Sequence, residues 1–206
     1  MVSRIQAYTT KELSKKTWPD FVKLFSQGNG FDFCMCMHFQ RPRSLPKSEW
    51  LRTRAERQVR NRRQKKALVE EGRAHGILVY AGGEPVGWCQ YGPREELPRI
   101  DNSHKYRKLA PEPGAEKLWR ITCFSVLKNY RKRGVASAAL KAALEAIKKK
   151  GCGLVEGYPI NRWETYAFGN ESTAGTASMF EKAGFKQVCD FGSTRFSSRV
   201  LMRRTV

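Results

Sequence analysis

A strand-like apolar run at residues 118–126, the basic loop Tyr130-Arg131-Lys132-Arg133-Gly134-Val135-Ala136-Ser137 and an amphipathic run to Lys150 follow one another directly. No other stretch constrains the fold as strongly. Leu140, Leu144 and Ile147 recur at helical spacing, cations at 148–150 suit a helix C-terminus, and Gly151 stops the helix. Residues 153–158 read as a second strand ended by Pro159, so the unit is a parallel β–α–β. Its loop is suited to an anion. The first N–H groups of a helix lack intrahelical partners, the helix dipole favours negative charge there, and Gly134 lets a ligand approach the backbone closely.

The flanking sequence supplies a mixed sheet. Residues 75–81, Gly82-Gly83 and 85–91 read as a β-hairpin, and 186–190 with 197–202 as a second one. Residues 173–183 read as a short helix stopped by Gly184. Toward the N-terminus, Thr9 and Glu12 have capping-box spacing and predict a first helix; Pro19 opens another. Residues 31–39 alternate, with Phe33, Met35, Met37 and Phe39 on one face and Cys34, Cys36 and His38 on the other, and predict a strand. A basic helix follows over 48–71, with its middle exposed where the apolar stripe fails at Arg62, Arg63 and Lys66. The expected division is an N-terminal elaboration over 1–74 and a core over 75–206, together one compact domain.

With 39 Lys+Arg against 19 Asp+Glu, the net charge is +20, and eight of the cations fall between Arg52 and Lys66. Such a field attracts nucleic acid, acidic surfaces or anionic small molecules without specifying a fold. A charge run is also what an ordinary solvated helix face looks like. No run approaches membrane-span length, and no signal peptide is expected. Six scattered cysteines fit free thiols in a cytoplasmic protein.

The order of elements and two motifs resemble the GNAT superfamily of acyl-CoA-dependent N-acyltransferases. The first is Arg131-Lys132-Arg133-Gly134-Val135-Ala136 after a strand, and the second is Phe180-Glu181-Lys182-Ala183-Gly184-Phe185. The resemblance spans about residues 75–190. It implies an α/β fold (α+β by some schemes): a mixed, mostly antiparallel sheet with a central parallel β–α–β unit and helices on both faces. It implies an N-acetyltransferase that uses acetyl-CoA as co-substrate, with direct attack by an amine in a ternary complex. The pyrophosphate would lie on the loop of Arg131, Lys132, Arg133, Gly134, Val135, Ala136 and Ser137. The pantetheine would lie along the strand edge at Phe124, Ser125 and Val126. There the family's neighbouring strands splay and expose an N–H to polarise the thioester. Thr173 stands where the family often has an Asn facing CoA, and Phe180 where many members have a tyrosine acid.

The reacting amine must lose a proton, and Glu156, mid-strand in an apolar setting, is the first candidate base; a structural ion pair with an arginine is the competing reading. Tyr158 and Tyr166 are the candidate proton donors to the thiolate. Cys36, His38 and Trp163 are expected to line the acceptor pocket, and Trp88 and Trp119 to pack in the core. Cys34, Cys36 and His38 alternate as metal ligands can, but no fourth ligand is evident, and no metal is expected. The acceptor is expected to be a small amine. A protein or acidic acceptor, or a nucleic-acid-associated module, are the alternatives. The state is expected to be a monomer or a homodimer through the C-terminal hairpin.

Overall fold

The computed structural model describes residues 7–27, 32–41, 53–109, 117–163, 173–193 and 197–206. Their elements, in chain order, are β1 (Thr9–Glu12), α1 (Trp18–Phe25), α2 (Arg54–Glu70), β2 (His75–Ala81), β3 (Glu84–Pro93), α3 (His104–Arg107), β4 (Leu118–Val126), α4 (Val135–Lys149), β5 (Leu154–Gly157), β6 (Ile160–Trp163), α5 (Ala177–Lys182), β7 (Lys186–Ser193) and β8 (Ser197–Thr205). Among the described residues no helix is long and apolar enough to cross a membrane.

The strands form one mixed sheet in the order β1-β2-β3-β4-β5-β8-β6, with β7 on the far edge of β8. Every pairing is antiparallel except β4 with β5. That parallel pair is short. It runs from Leu118 opposite Leu154 to Ile121 opposite Gly157 and goes no further. Beyond it Pro159, which cannot donate a ladder hydrogen bond, separates β5 from β6. The C-terminal half of β4 therefore diverges from its neighbour.

Helices cover both faces. Under α4 and α5 the core is built from Ile121, Phe124, Val135, Leu140, Ile147, Phe180 and Val200. On the other face α1 and residues 35–37 pack Phe21, Phe25, Met35 and Met37 against Leu78 and Trp88. Trp88 and Trp119 are both buried, as expected of core tryptophans.

Several N-terminal expectations are corrected. Thr9–Glu12 is a strand rather than a helix start, because its backbone groups pair with β2 from Thr9–Tyr80 to Glu12–Ile77. The capping box belongs to Thr53 and Glu56, which open α2. Residues 32–40 make successive turns, not a strand. Met35 and Cys36 have φ of 47° and 45°, left-handed values that a strand excludes. Met35, Cys36 and Met37 are consequently all buried while His38 is exposed, so Cys36 and His38 do not share a face. Around α2, Arg62, Arg63 and Lys66 are exposed as expected, but Arg60, Asn61 and Lys65 are buried. The C-terminal helix begins at Ala177 rather than 173, with the Thr176 hydroxyl accepting from the Met179 N–H. Residues 173–175 bend instead, with Gly175 at a left-handed φ of 73°, and Thr176 bridges to Ile160.

Candidate active site

The anion loop has the geometry its sequence suggests. β4 ends in a 3-10 turn at Lys128–Tyr130, and Lys132 and Gly134 take left-handed φ of 58° and 85°. Gly134 is the N-cap of α4 and has no side-chain cap. The first intrahelical bond, Ala138 N–H to Gly134 C=O at 2.9 Å, leaves the N–H groups of Val135, Ala136 and Ser137 outside the helix ladder. No atom lies within 4 Å of where a Cβ on Gly134 would sit, so the approach is open. Lys132 and Arg133 are exposed. Arg131 folds back, its Nε donating to the Val126 carbonyl at 3.1 Å. From Ser137 a groove of about 1070 Å³ runs between α4, α5 and the β7–β8 hairpin, past Lys141, Lys182, Lys186 and Arg204.

The splayed edge of β4 is partly occupied. Leu127 N–H donates to Val86 C=O, so alternation turns the Phe124 and Val126 amides away from β3 and toward the gap. The Phe124 amide is spent on the Thr173 carbonyl at 2.6 Å, while Ile160 N–H donates to Gly175 C=O. The segment 173–176 thus lies in the wedge between β4 and β6. The Val126 amide is the other N–H facing it. Ser125 lies on the opposite side of the strand, paired with Trp88.

Phe180 is wholly buried and stacks edge-on against Phe124 and Phe185, with ring centroids 6.1 and 4.9 Å away. Its ring covers Gly157, where a Cβ would fall 2.2 Å from the Phe180 Cε1. Gly157→Ala is therefore expected to cost about 1–3 kcal/mol through overpacking, read as a lower urea midpoint with unchanged slope.

Glu156 is fully buried and fully engaged. One carboxylate oxygen accepts from Arg203 Nε and Nη2 at 3.0 and 2.9 Å, and the other from the Tyr106 and Tyr158 hydroxyls at 2.8 and 2.6 Å. Arg120, also fully buried, stands 3.9 Å from it and is held through two 2.8 Å bonds to Asp101. Burial and then the Glu156 charge raise the Tyr158 pKa well above its ordinary value. This is the ion-pair arrangement weighed against a general base above. Tyr106 and Arg203 belong to it and were not singled out from sequence, because only the fold brings them to Glu156. Tyr166 lies outside the described residues; Trp163 contributes backbone to β6, and its side chain lies outside them.

On the face covered by α1 lies a thiol cluster. Cys36 Sγ lies 3.2 Å from Cys123 Sγ and accepts from Trp88 Nε1 at 3.2 Å. Its own carbonyl accepts from Gln90 at 2.9 Å. Burial alone would raise the Cys36 pKa, but the Cys123 hydrogen bond, the Lys65 charge and the Trp88 indole together hold it below its ordinary value. Lys65, fully buried, donates to Gln40 Oε1 at 2.6 Å. His38 keeps an exposed side, yet crowding by protein atoms and then Arg99, Arg199 and Arg41 bring its pKa down to about 4. It is neutral near pH 7.

Comparison with known proteins agrees with this geometry. Residues 39–162 match the Acetyltransferase (GNAT) family. No curated protein matches the sequence. Among solved structures, the fold is shared with the ribosomal-protein-S5-alanine acetyltransferase of Vibrio fischeri (TM-score 0.53, 12% identity, covering 96% of this chain and 92% of that one). It is shared with a GNAT-family acetyltransferase of Streptococcus pneumoniae (TM-score 0.52, 14% identity, 97% and 99% covered). It is also shared with YncA of Salmonella typhimurium, solved with its cofactor acetyl-CoA (TM-score 0.51, 11% identity, 97% and 94% covered). The parallel β4–α4–β5 unit, its open anion loop and the family match over most of the chain agree: the protein belongs to the GNAT acetyltransferase family.

Proposed function

We propose that the chain transfers the acetyl group of acetyl-CoA to the nitrogen of a small amine by direct attack in a ternary complex. The observation that carries this reading is the set of outward N–H groups at Val135, Ala136 and Ser137, set beside the splayed edge of β4. Those amides, with Lys132 and Arg133, would hold the pyrophosphate, and Arg131 would brace the loop through Val126. The groove beyond Ser137 offers cations to the rest of the nucleotide. The edge at Phe124 and Val126 would pair with the pantetheine as an added strand does. That pairing requires Thr173 to yield the Phe124 amide.

In the transfer, the amine nitrogen bonds to the thioester carbon, the C–S bond breaks, and CoA leaves as the thiolate. The Val126 amide would meet the negative charge that builds on the carbonyl oxygen, a contribution of roughly 3 kcal/mol for a well-aimed donor. Phe180 has no acidic proton to give, so the proton shed by the attacking nitrogen reaches the thiolate through water. Glu156 is already saturated with hydrogen bonds, and we assign it a positioning role, holding Tyr158 and Arg203 in place. The amine proton leaves more easily here for another reason. Arg199 and Arg99 around His38 disfavour a second positive charge, which favours the neutral, nucleophilic amine.

Acetyl-CoA at a hundredfold excess over its Kd is expected to stabilise the protein by about 2.7 kcal/mol, seen as a raised Tm. No shift at millimolar acetyl-CoA would remove the reading.

A further inference from the structure

On the acceptor face of the sheet, β8 presents alternate residues Arg203, Leu201 and Arg199. Arg203 is committed to Glu156. Leu201 packs with Tyr106 and Tyr158. Arg199 is different. Its backbone pairs with Ile160 and Gly192, which sets it beside the gap where β4 and β5 have parted. Its guanidinium makes no hydrogen bond or ion pair with any described residue. Burial lowers its pKa, and among the described residues Cys123, on β4 next to Phe124, acts the other way. It is also within electrostatic reach of His38.

Among the described residues, two of the acids on this face are already committed. Asp101 is shared between Arg94 and Arg120, and Glu156 between Arg203 and Arg120. Glu96 lies 3.4 Å from His75 and is not among the charges that act on Arg199. His38 is neutral and Lys65 is positive or neutral, so no described neighbour offers Arg199 an anion. A half-buried arginine without a partner is costly unless something pairs with it. Its planar fork fits a carboxylate with two parallel hydrogen bonds, which a lysine would not match.

We propose that Arg199 binds the carboxylate of the acetyl acceptor, so that the acceptor is an amine carrying a carboxylate, an amino acid in the simplest case. This rests on the acetyltransferase reading above. The arginine on β8 opposite Ile160 anchors the carboxylate while the amine reaches toward the Val126 edge of β4. Arg199 would also repel the additional ammonium groups of a polyamine.

Thiol release from acetyl-CoA, measured with each of the common L-amino acids and with its carboxamide, tests this directly. At least one amino acid is expected to exceed its carboxamide in kcat/KM by roughly ten- to hundredfold, the range of a charge-assisted pair. In Arg199→Gln that ratio is expected to fall to within about twofold, chiefly through KM, and Arg199→Lys is expected to keep part of it. An unchanged acetyl-CoA-dependent Tm shift in both variants shows that they are folded. Carboxamides used as well as acids, a preference that survives Arg199→Gln, or acetyl-CoA binding with no turnover of any amino acid each overturn the inference while the acetyltransferase reading stands. Absence of both acetyl-CoA binding and thiol release with any amine overturns the two together.

Discussion

Glu156→Gln is expected to lower the Tm by about 6–20 °C, because it removes the buried negative charge to which Arg203 donates twice and leaves two tyrosine hydroxyls facing an amide. Breaking one side of a buried charge pair typically costs about 3–5 kcal/mol, and a chain of this size loses about 2–4 °C per kcal/mol. The loss comes from several places at once. Arg203 donates twice to one oxygen, and Tyr106 and Tyr158 donate to the other. A glutamine offers one acceptor oxygen and one donor NH2, so whichever way it turns, one pair of donors faces a donor. Arg120 keeps Asp101 and suffers less. The same variant separates a structural role from catalysis. Assayed well below its Tm, it is expected to keep kcat within about tenfold of the parent and to keep the acidic limb of its pH–rate profile, since general-base loss costs about 10²–10⁴-fold. A Tm unchanged within 2 °C would show that the network carries no stability, and loss of the acidic limb would return the base role to Glu156.

How much of this was legible in the sequence depends on how local its causes are. The loop from Arg131 to Ser137 was readable because a left-handed Gly134 and an uncapped helix start are set by a few adjacent residues. Phe180 is a departure at the proton-donor position that the motif itself exposes, whereas its packing over Gly157 follows only from the fold. Residues 31–39 misled because short alternation is shared by strands and by turns that fold over a core. Two left-handed residues, Met35 and Cys36, decide the matter, and nothing in their side chains announces it. Thr9 and Glu12 have capping spacing, but four backbone pairings to a strand about seventy residues away win over a local cap. The polar interior was hidden for the same reason. Asn61 is buried because it donates to the carbonyls of Phe33 and Cys34, and Glu156 because Tyr106 and Arg203 reach it from either side. Sequence periodicity marks apolar faces; it does not show which polar groups will find partners far along the chain.

Lys65→Met is expected to stabilise the protein at pH 7 by up to about 3 kcal/mol, and the gain is expected to shrink as pH rises. Lys65 is wholly buried on α2, above the Phe21 and Trp88 rings, with a single hydrogen bond to Gln40. Burial lowers its pKa to about 8, against the pull of Cys36, Cys123, Cys34 and Glu96 that raises it. A lysine whose folded pKa lies below its unfolded value binds fewer protons folded than unfolded between the two pKa values, so its part of the stability rises with pH from about 8 to 10.5. Below pH 8 both states hold the proton and the full cost of the buried charge remains, at about 1.4 kcal/mol per pKa unit. Methionine keeps the length and packing of the stem and removes the charge, the kind of exchange that often stabilises a buried ionic site. Urea titrations of both proteins at pH 7 and pH 10 check the prediction. The difference in stability should be largest at pH 7 and smaller at pH 10, where the lysine is mostly neutral in the fold. A gain that is equal at both values would mean the cost is one of shape rather than charge. A loss at pH 7 would mean that the Gln40 bond and the two ring contacts outweigh the desolvation of the ammonium. The thiols bear on the same balance. With Lys65 gone, the Cys36 sulfur loses a positive neighbour and its pKa is expected to rise, so alkylation of the unfolded and folded chains at pH 7 would report a less reactive Cys36 in the variant.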